Sequence, residues 1–255
     1  DSYLEKSSEE RKEALVKFGL GHNIPKLKTD LENYRINYDV WFNESTIHEN
    51  GEVAETIELL RKSDYTYEKD GALWLRSTDF GCEKDDVLIR ANGFPTYFAV
   101  DIAYHRNKFE KRGFDKVINI WGADHHGHVL RMKGAMEAIG IDSSKLEIIL
   151  MQLVRLVKEG KAVRMSKRTG EMITLSDLVE DIGLDAARFF FNLRQAESHF
   201  EFDLDLAIAQ NNENPVFYVQ YAHARIASII RNLANEGIVL GDTDKIDLTL
   251  LKDAA

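Results

Sequence analysis

One cysteine, Cys82, stands in 255 residues, so the chain can form no internal disulfide. A lone thiol fits a reducing compartment such as the cytoplasm. Proline is nearly as scarce, at three residues, and no linker-like cluster of Pro, Gly or Ser breaks the chain. Apolar runs are short: Leu146 to Leu150 is followed by Gln152 and Arg155, far less than a bilayer requires. No segment reads as a signal peptide, and the expectation is a cytoplasmic protein with no membrane partner. Cations are the minority, 33 against 43 acidic residues, for a net charge of -10. Such a balance argues against sequence-independent nucleic-acid binding, which needs a broad basic face, and DNA is not an expected partner. It leaves room for a local basic site.

The rest of the composition, 44% hydrophobic and 30% charged, is that of a soluble globular protein. The chain opens Asp1-Ser2-Tyr3-Leu4 and closes Leu250-Leu251-Lys252-Asp253-Ala254-Ala255, a helix-like run. Both ends suggest a piece of a longer protein.

Along the chain, Glu9 to Phe18 and Thr29 to Ile36 read as two helices, and Val40-Trp41-Phe42 as a short buried strand. Val53, Ile57 and Leu60 share one helical face. The period then changes to two. In "YTYEKDGALWLRS", Asp70-Gly71 sits between alternating apolar positions, a hairpin signal, and "DDVLIRANGF" reads as a further strand. Thr96 to Lys111 is helical. "KVINIWG" is a continuous apolar run, as expected of a parallel strand covered on both faces. A helix from Gly127 to Ile139 and a strand region "LEIILMQLVRLV" follow, turned back by Glu159-Gly160. This strand–helix–strand order predicts a doubly wound parallel sheet. Beyond Thr174 the pattern is helical, with Ser176 as N-cap of a helix to Ile182, then helices over 185–194 and 214–236. Pro215 falls just inside the last one.

Three stretches could carry chemistry. "IWGADHHGHV" places Asp124, His125, His126 and His128 where a buried strand ends, the edge at which open α/β sheets bind ligands. Gly122 permits a tight turn, and Asp124 suits the two hydroxyls of a ribose. Asp124 as a helix cap, or the three histidines as a zinc site, are the alternatives. In "FPTYFAVDIAYH", Tyr97 and Asp101 are four apart and share a helical face. A phenol and a carboxylate side by side could hold a cation; core aromatic and solvated acid are the plainer reading. In "GKAVRMSKRTGEMITLSDL", Arg164-Met165-Ser166-Lys167-Arg168 puts cations and a hydroxyl between two glycines. Lys167 could meet charge developing on a leaving pyrophosphate. A solvated basic turn is the competing interpretation. No Gly-rich run precedes the lysine, so this is no Walker-type loop.

Taken together the stretches resemble one family. Arg164-Met165-Ser166-Lys167-Arg168 is similar to the Lys-Met-Ser-Lys-Ser loop of class I aminoacyl-tRNA synthetases. "FPTYFAVDIAYH", "GADHHGH", "SKRTGEMITLSDLVEDIGLDAARFFF", "HFEFDLDLA" and "ENPVFYVQYAHARI" resemble arginyl-tRNA synthetase.

The resemblance implies an α/β fold: the second half of a Rossmann-like doubly wound sheet with a small antiparallel insertion, followed by the start of a helical bundle. Its divisions are a connective region (1–64), the insertion (65–93), the catalytic half with the loop (94–183), and a helical region leading into an anticodon-binding domain (184–255). The implied reaction joins arginine to ATP as arginyl-adenylate, then transfers it to tRNA(Arg). ATP is a substrate with its accompanying Mg2+, and no protein-bound metal is implied. By position, Tyr97, Asp101 and His125 match the arginine pocket. Gly122 and Asp124 match the ribose turn. Met165, Ser166 and Lys167 match the loop at the ATP phosphates, with Arg164, Ser166 and Lys167 as its catalytic members.

Arg164 and Arg168 replace the loop's first lysine and last serine. The class's other signature, His-x-Gly-His, is absent from this sequence; Gly21-His22-Asn23 lacks its paired histidine. The chain alone is therefore expected to be inactive in charging. A non-catalytic relative that keeps the fold for RNA or protein binding is the alternative, though it would need neither Lys167 nor the Tyr97–Asp101 pair. A ligase for lysine or glutamate would not need Asp101 beside Tyr97.

Overall fold

A computed structural model describes residues 3–163 and 173–238, with 241 and 245. Contacts divide the chain into two compact units. Asp1–Arg35, Arg155–Leu193 and Glu201–Ala255 form one; Ile36–Val154 with Arg194–Phe200 form the other.

The first unit opens with helix α1 (Ser8–Asn33), one continuous helix where the sequence reads as two. Its start is fixed by a capping box: the Ser7 hydroxyl accepts from the Glu10 amide, and the Glu10 carboxylate accepts from the Ser7 amide. Pro25 lies inside it and removes only one amide donor, so the remaining ladder carries the helix past that point.

The second unit begins with α2 (Ser45–Glu49) and α3 (Glu52–Arg61), and α3 buries Val53, Ile57 and Leu60 as their spacing predicts. The strand expected at Val40–Phe42 does not form. Val40 and Trp41 are exposed, and Phe42 instead stacks on Tyr104 with ring centres 4.7 Å apart. Three apolar residues without a partner strand have no ladder to join. Strands β1 (Thr66–Lys69), β2 (Ala72–Leu75) and β3 (Asp86–Ile89) make an antiparallel sheet. Asp70 and Gly71, at φ 53° and 73°, close the first hairpin with Lys69 opposite Ala72; two left-handed residues match the twist of the flanking strands.

Helix α4 (Tyr97–Arg106) runs on into a π-helical turn over Asn107–Lys111. Then β4 (Val117–Gly122), α5 (His126–Ala138) and β5 (Leu146–Met151) form the strand–helix–strand crossover, and β4 pairs parallel with β5 from Val117↔Leu146 to Gly122↔Met151. The core packs Val117 and Leu146 with Ala99, Ile102, Met132 and Met136 from the two helices. Coverage of both faces of β4 is not found: burial alternates along the strand, and Ile118 and Ile120 are 53% and 65% exposed. The apolar run implies two covered faces, but α4 and α5 cover one: Val117 is buried in the core and Trp121 packs against it, while Ile118 and Ile120 face outward.

The strand region after α5 proves to be two strands in two sheets. Gln152 turns aside, donating its amide to Ala196, and β6 (Val154–Lys158) pairs with β7 (Lys161–Ala162) across the left-handed Glu159-Gly160 turn. On the other side of β6 lies β8 (Phe200–Asp203), in a stretch the sequence reads as helix. Its signal is the two-residue alternation of Phe200 and Phe202, with Phe202 fully buried.

Helices α6 (Leu175–Ile182), α7 (Leu184–Phe191), α8 (Leu204–Ile208) and α9 (Pro215–Asn235) complete the first unit. The N-cap of α6 is Thr174, not Ser176. Thr174 and Asp177 bond each other's backbone amides, whereas the Ser176 hydroxyl donates to Asp30 at 2.9 Å. Asn214 caps α9 by accepting from the Val216 amide, with Pro215 in the first turn as expected. No helix among the described residues is long and apolar enough to cross a membrane.

Candidate active site

The candidate residues of the second unit lie on the start of α4 and on the turn that ends β4. Thr96 anchors α4. Its hydroxyl accepts from the Ala99 amide and donates to the Val87 carbonyl at 2.8 Å, tying the first turn to β3. Tyr97 then opens the helix with its side chain in solvent, 80% exposed. It borders a hollow of about 380 Å³ with Glu44, His48, Arg90 and Phe94. Asp101, one turn on, does not line that hollow. It lies on the same helical face by spacing.

Asp101 is held from α5. The His128 imidazole Nε2 lies 3.3 Å from its Oδ2, while Arg131 Nε donates to His128 Nδ1. A ring nitrogen that accepts leaves the other to carry the proton, so His128 donates to Asp101. Arg131 also donates to Asp86 Oδ1 at 3.0 Å, and Ser77 donates to the other Asp86 oxygen at 2.7 Å. Packing fixes this chain: the His128 ring stacks on Trp121 with centres 5.0 Å apart, and the Arg131 guanidinium lies 5.0 Å from the centre of Phe98. Sequence reading weighed His128 only as a metal ligand and passed over Arg131. The signal available was their i,i+3 spacing on one helix; the Asp101 partner, 27 positions away, was not visible.

At the end of β4, Gly122 leads into a single tight turn over Ala123–His125. A Cβ at position 122 would stand 2.5 Å from Asp124 Oδ1, so glycine leaves the room that this carboxylate occupies. The Asp124 side chain is 83% exposed, with His125 Nε2 3.8 Å away. It makes no cap: neither that turn nor α5 has a side-chain bond at its start. His125 leans toward Trp121, ring centres 6.4 Å apart.

The three histidines do not converge. His125 adjoins Trp121, His128 holds Asp101, and His126 borders a separate cleft with Cys82 and Arg131. Among the described residues no three His, Cys, Asp or Glu side chains are grouped to hold a metal ion. The loop residues Arg164, Met165, Ser166, Lys167 and Arg168 lie outside the described residues.

The model of the tRNA synthetases class I (R) catalytic domain matches residues 6–227. The chain belongs to this family. It is 62% identical over 253 residues to an arginine–tRNA ligase of Caldanaerobacter subterraneus subsp. tengcongensis, covering 99% of this chain and 45% of that one. It is 59% identical to the Ruminiclostridium cellulolyticum arginine–tRNA ligase, covering 98% and 44%. The chain thus spans less than half the length of these relatives. A Campylobacter jejuni protein described as an arginyl-tRNA synthetase superposes with TM-score 0.84 at 38% identity, over 95% of this chain and 53% of that one. The Thermus thermophilus arginyl-tRNA synthetase, 20% identical with TM-score 0.71, shares the fold. Membership gives the parallel crossover its place in a Rossmann-like class I catalytic domain.

Proposed function

We propose that this chain carries the arginine and ribose subsites of an arginine–tRNA ligase. The enzyme joins arginine's carboxylate to the α-phosphate of ATP, releasing pyrophosphate, and passes the arginyl group to tRNA(Arg) in the cytoplasm. The observation that carries the reading is the Trp121 ring, which stacks on the histidine holding Asp101 and adjoins His125 in the turn bearing Asp124. Asp101, through His128, and Asp124, through its turn, are both linked to Trp121 near the C-terminal end of one parallel strand, where this architecture binds ligands. Asp101 is the anion for the substrate guanidinium, with Tyr97 and His125 beside the same substrate. Gly122 and Asp124 receive the ribose of ATP, which arrives with its Mg2+. Met165 and Ser166 contact the phosphates with Lys167, and Arg164 and Lys167 supply the positive charge that grows in importance as pyrophosphate leaves. The divisions 1–64, 65–93, 94–183 and 184–255 describe connective region, insertion, catalytic half and entry to the anticodon-binding domain.

The test is charging of tRNA(Arg) by the full-length protein with ATP and either arginine or lysine. Arginine-dependent charging with negligible use of lysine is expected. Equal use of both, or no charging at all, would overturn the assignment and favour a non-catalytic relative.

A further inference from the structure

Beneath the candidate site lies a buried polar chain that the proposed chemistry does not use. His105, on the last turn of α4, is buried. Its Nδ1 lies 2.7 Å from the Asp101 carbonyl, and its Nε2 faces the Asn119 amide nitrogen at 2.5 Å. A carbonyl only accepts and an amide nitrogen only donates. The ring must therefore carry its single proton on Nδ1 and accept at Nε2. Asn119, on the inward face of β4, is also buried, and its Oδ1 accepts from Lys108 Nζ at 3.1 Å. Lys108 lies over the Tyr104 ring, 4.3 Å from its centre. Every donor in this chain points one way: Lys108 to Asn119, Asn119 to His105, His105 to the backbone of Asp101. A buried chain so satisfied allows one arrangement of its parts.

Asn119 sits three residues before Gly122 on β4. His105 grips the residue whose carboxylate is the proposed guanidinium partner. We propose that Lys108, Asn119 and His105 are positioning residues that lock the Asp101 turn of α4 to β4 and so set the arginine subsite against the ribose subsite. The inference rests on the reading of Asp101 given above. Burial and Lys108, in the turn that continues α4, favour a neutral ring and outweigh Asp101 and Asn119, which favour the protonated one; Arg112 faces Lys108, and Trp121 of β4 packs edge-on against the ring. Burial and the Lys108 charge hold its pKa down to about 4.

The experiment uses the full-length protein labelled with 15N-histidine and 13C-aspartate, with the variants Lys108→Met and Asn119→Asp. In the unaltered protein His105 should show one proton, on Nδ1, and no titration between about pH 5.5 and 8. Asn119→Asp offers Nε2 a carboxylate in place of a donor. His105 should then titrate within that range, and the KM for arginine should acquire the same pH dependence while the KM for ATP does not. Lys108→Met, folded by circular dichroism, should raise the arginine KM about tenfold, as expected for one lost hydrogen bond to a charged group, and move the ATP KM less than about twofold. Both tautomers in the unaltered protein, an arginine KM untouched by either variant, or equal changes in both KM values would overturn the proposal. Absence of charging by the unaltered protein would sink the functional reading alone. The chain would then be judged by the Asp101 13Cγ resonance, which shifts in Lys108→Met if the relay holds that residue and stays if it does not.

Discussion

Two carboxylates end up near the same strand end and are treated in opposite ways. Asp101 is braced: His128 donates to it, Arg131, itself bound to Asp86, donates to His128, and Trp121 backs the ring. Asp124 stands almost free, 83% exposed, with His125 at 3.8 Å and its room guaranteed only by the missing Cβ at Gly122. The difference follows from what each is proposed to meet. A guanidinium is planar and must be told from other cations, so its acceptor has to be fixed in advance. Ribose hydroxyls are donors that can rotate to suit an acceptor, and a single flexible carboxylate can meet them.

The largest effect should come from removing the braced anion. Asp101→Ala in the full-length protein is expected to lower kcat/KM for arginine by about 2–5 kcal/mol, the range for truncating one partner of a charge pair that bound substrate buries. The KM for ATP should hardly move. Steady-state charging with each substrate varied in turn measures both, and comparable losses for the two substrates would erase the distinction between the subsites.

The braced side should also be the acid-sensitive one. His105 is neutral in the fold because burial and Lys108 hold its pKa down to about 4 from 6.5. A depressed folded pKa means the unfolded chain binds more protons across that window. Its contribution to stability is therefore complete above pH 6.5 and is lost as pH falls toward 4, by about 3 kcal/mol at most. Urea denaturation at pH 6.5 and 4.5 should show this loss, and His105→Gln should flatten it. Lys108 has the same sign in a higher window: burial holds its pKa down to about 8, so stability should also climb as pH rises from there toward 10.5. An unchanged slope in His105→Gln would show that another group controls the acid limb.

How much of this was legible in the sequence depended on how local each cause is. Asp70-Gly71, Glu159-Gly160 and Pro215 each act through their own backbone preferences, and the turns and helix start they predict are present. The parallel crossover was legible because an apolar run, a helix and a second apolar run follow in order. Val40–Phe42 failed because strand formation needs a partner that the segment itself cannot reveal. β8 was missed because four residues of alternation are weak against helical surroundings. The candidate site divided the same way. Gly122, Asp124, Tyr97 and Asp101 stand out as motif residues on short stretches. His128 as the brace of Asp101, and His105 with Asn119 beneath it, depend on contacts between α4, β4 and α5, which no spacing within one element records.

The brace can be tested apart from the anion it holds. His128→Leu removes both the donor to Asp101 and the acceptor for Arg131, and should raise the arginine KM about tenfold, the worth of one hydrogen bond to a charged group. His128→Gln keeps an amide donor and a carbonyl acceptor, and should recover most of the loss. Identical behaviour of the two variants would mean that ring packing on Trp121, not hydrogen bonding, matters at this position.

The smallest effect, and the sharpest test of the contrast, is expected at Gly122. Its φ of -65° is open to any residue, so Gly122→Ala introduces no backbone strain. The new methyl would meet only the Asp124 carboxylate, and that side chain is exposed and can swing away. Stability should therefore stay within about 0.5 kcal/mol, as for surface substitutions generally. The displaced carboxylate would lose its proposed place on the ribose, raising the KM for ATP about fivefold, the worth of one ordinary hydrogen bond of about 1 kcal/mol. Arginine binding should be spared, because Asp101 is held from α5 by bonds that do not pass through this turn. Thermal melting and charging kinetics on Gly122→Ala decide the matter: a rise in the arginine KM matching that for ATP would show that the two carboxylates share one support.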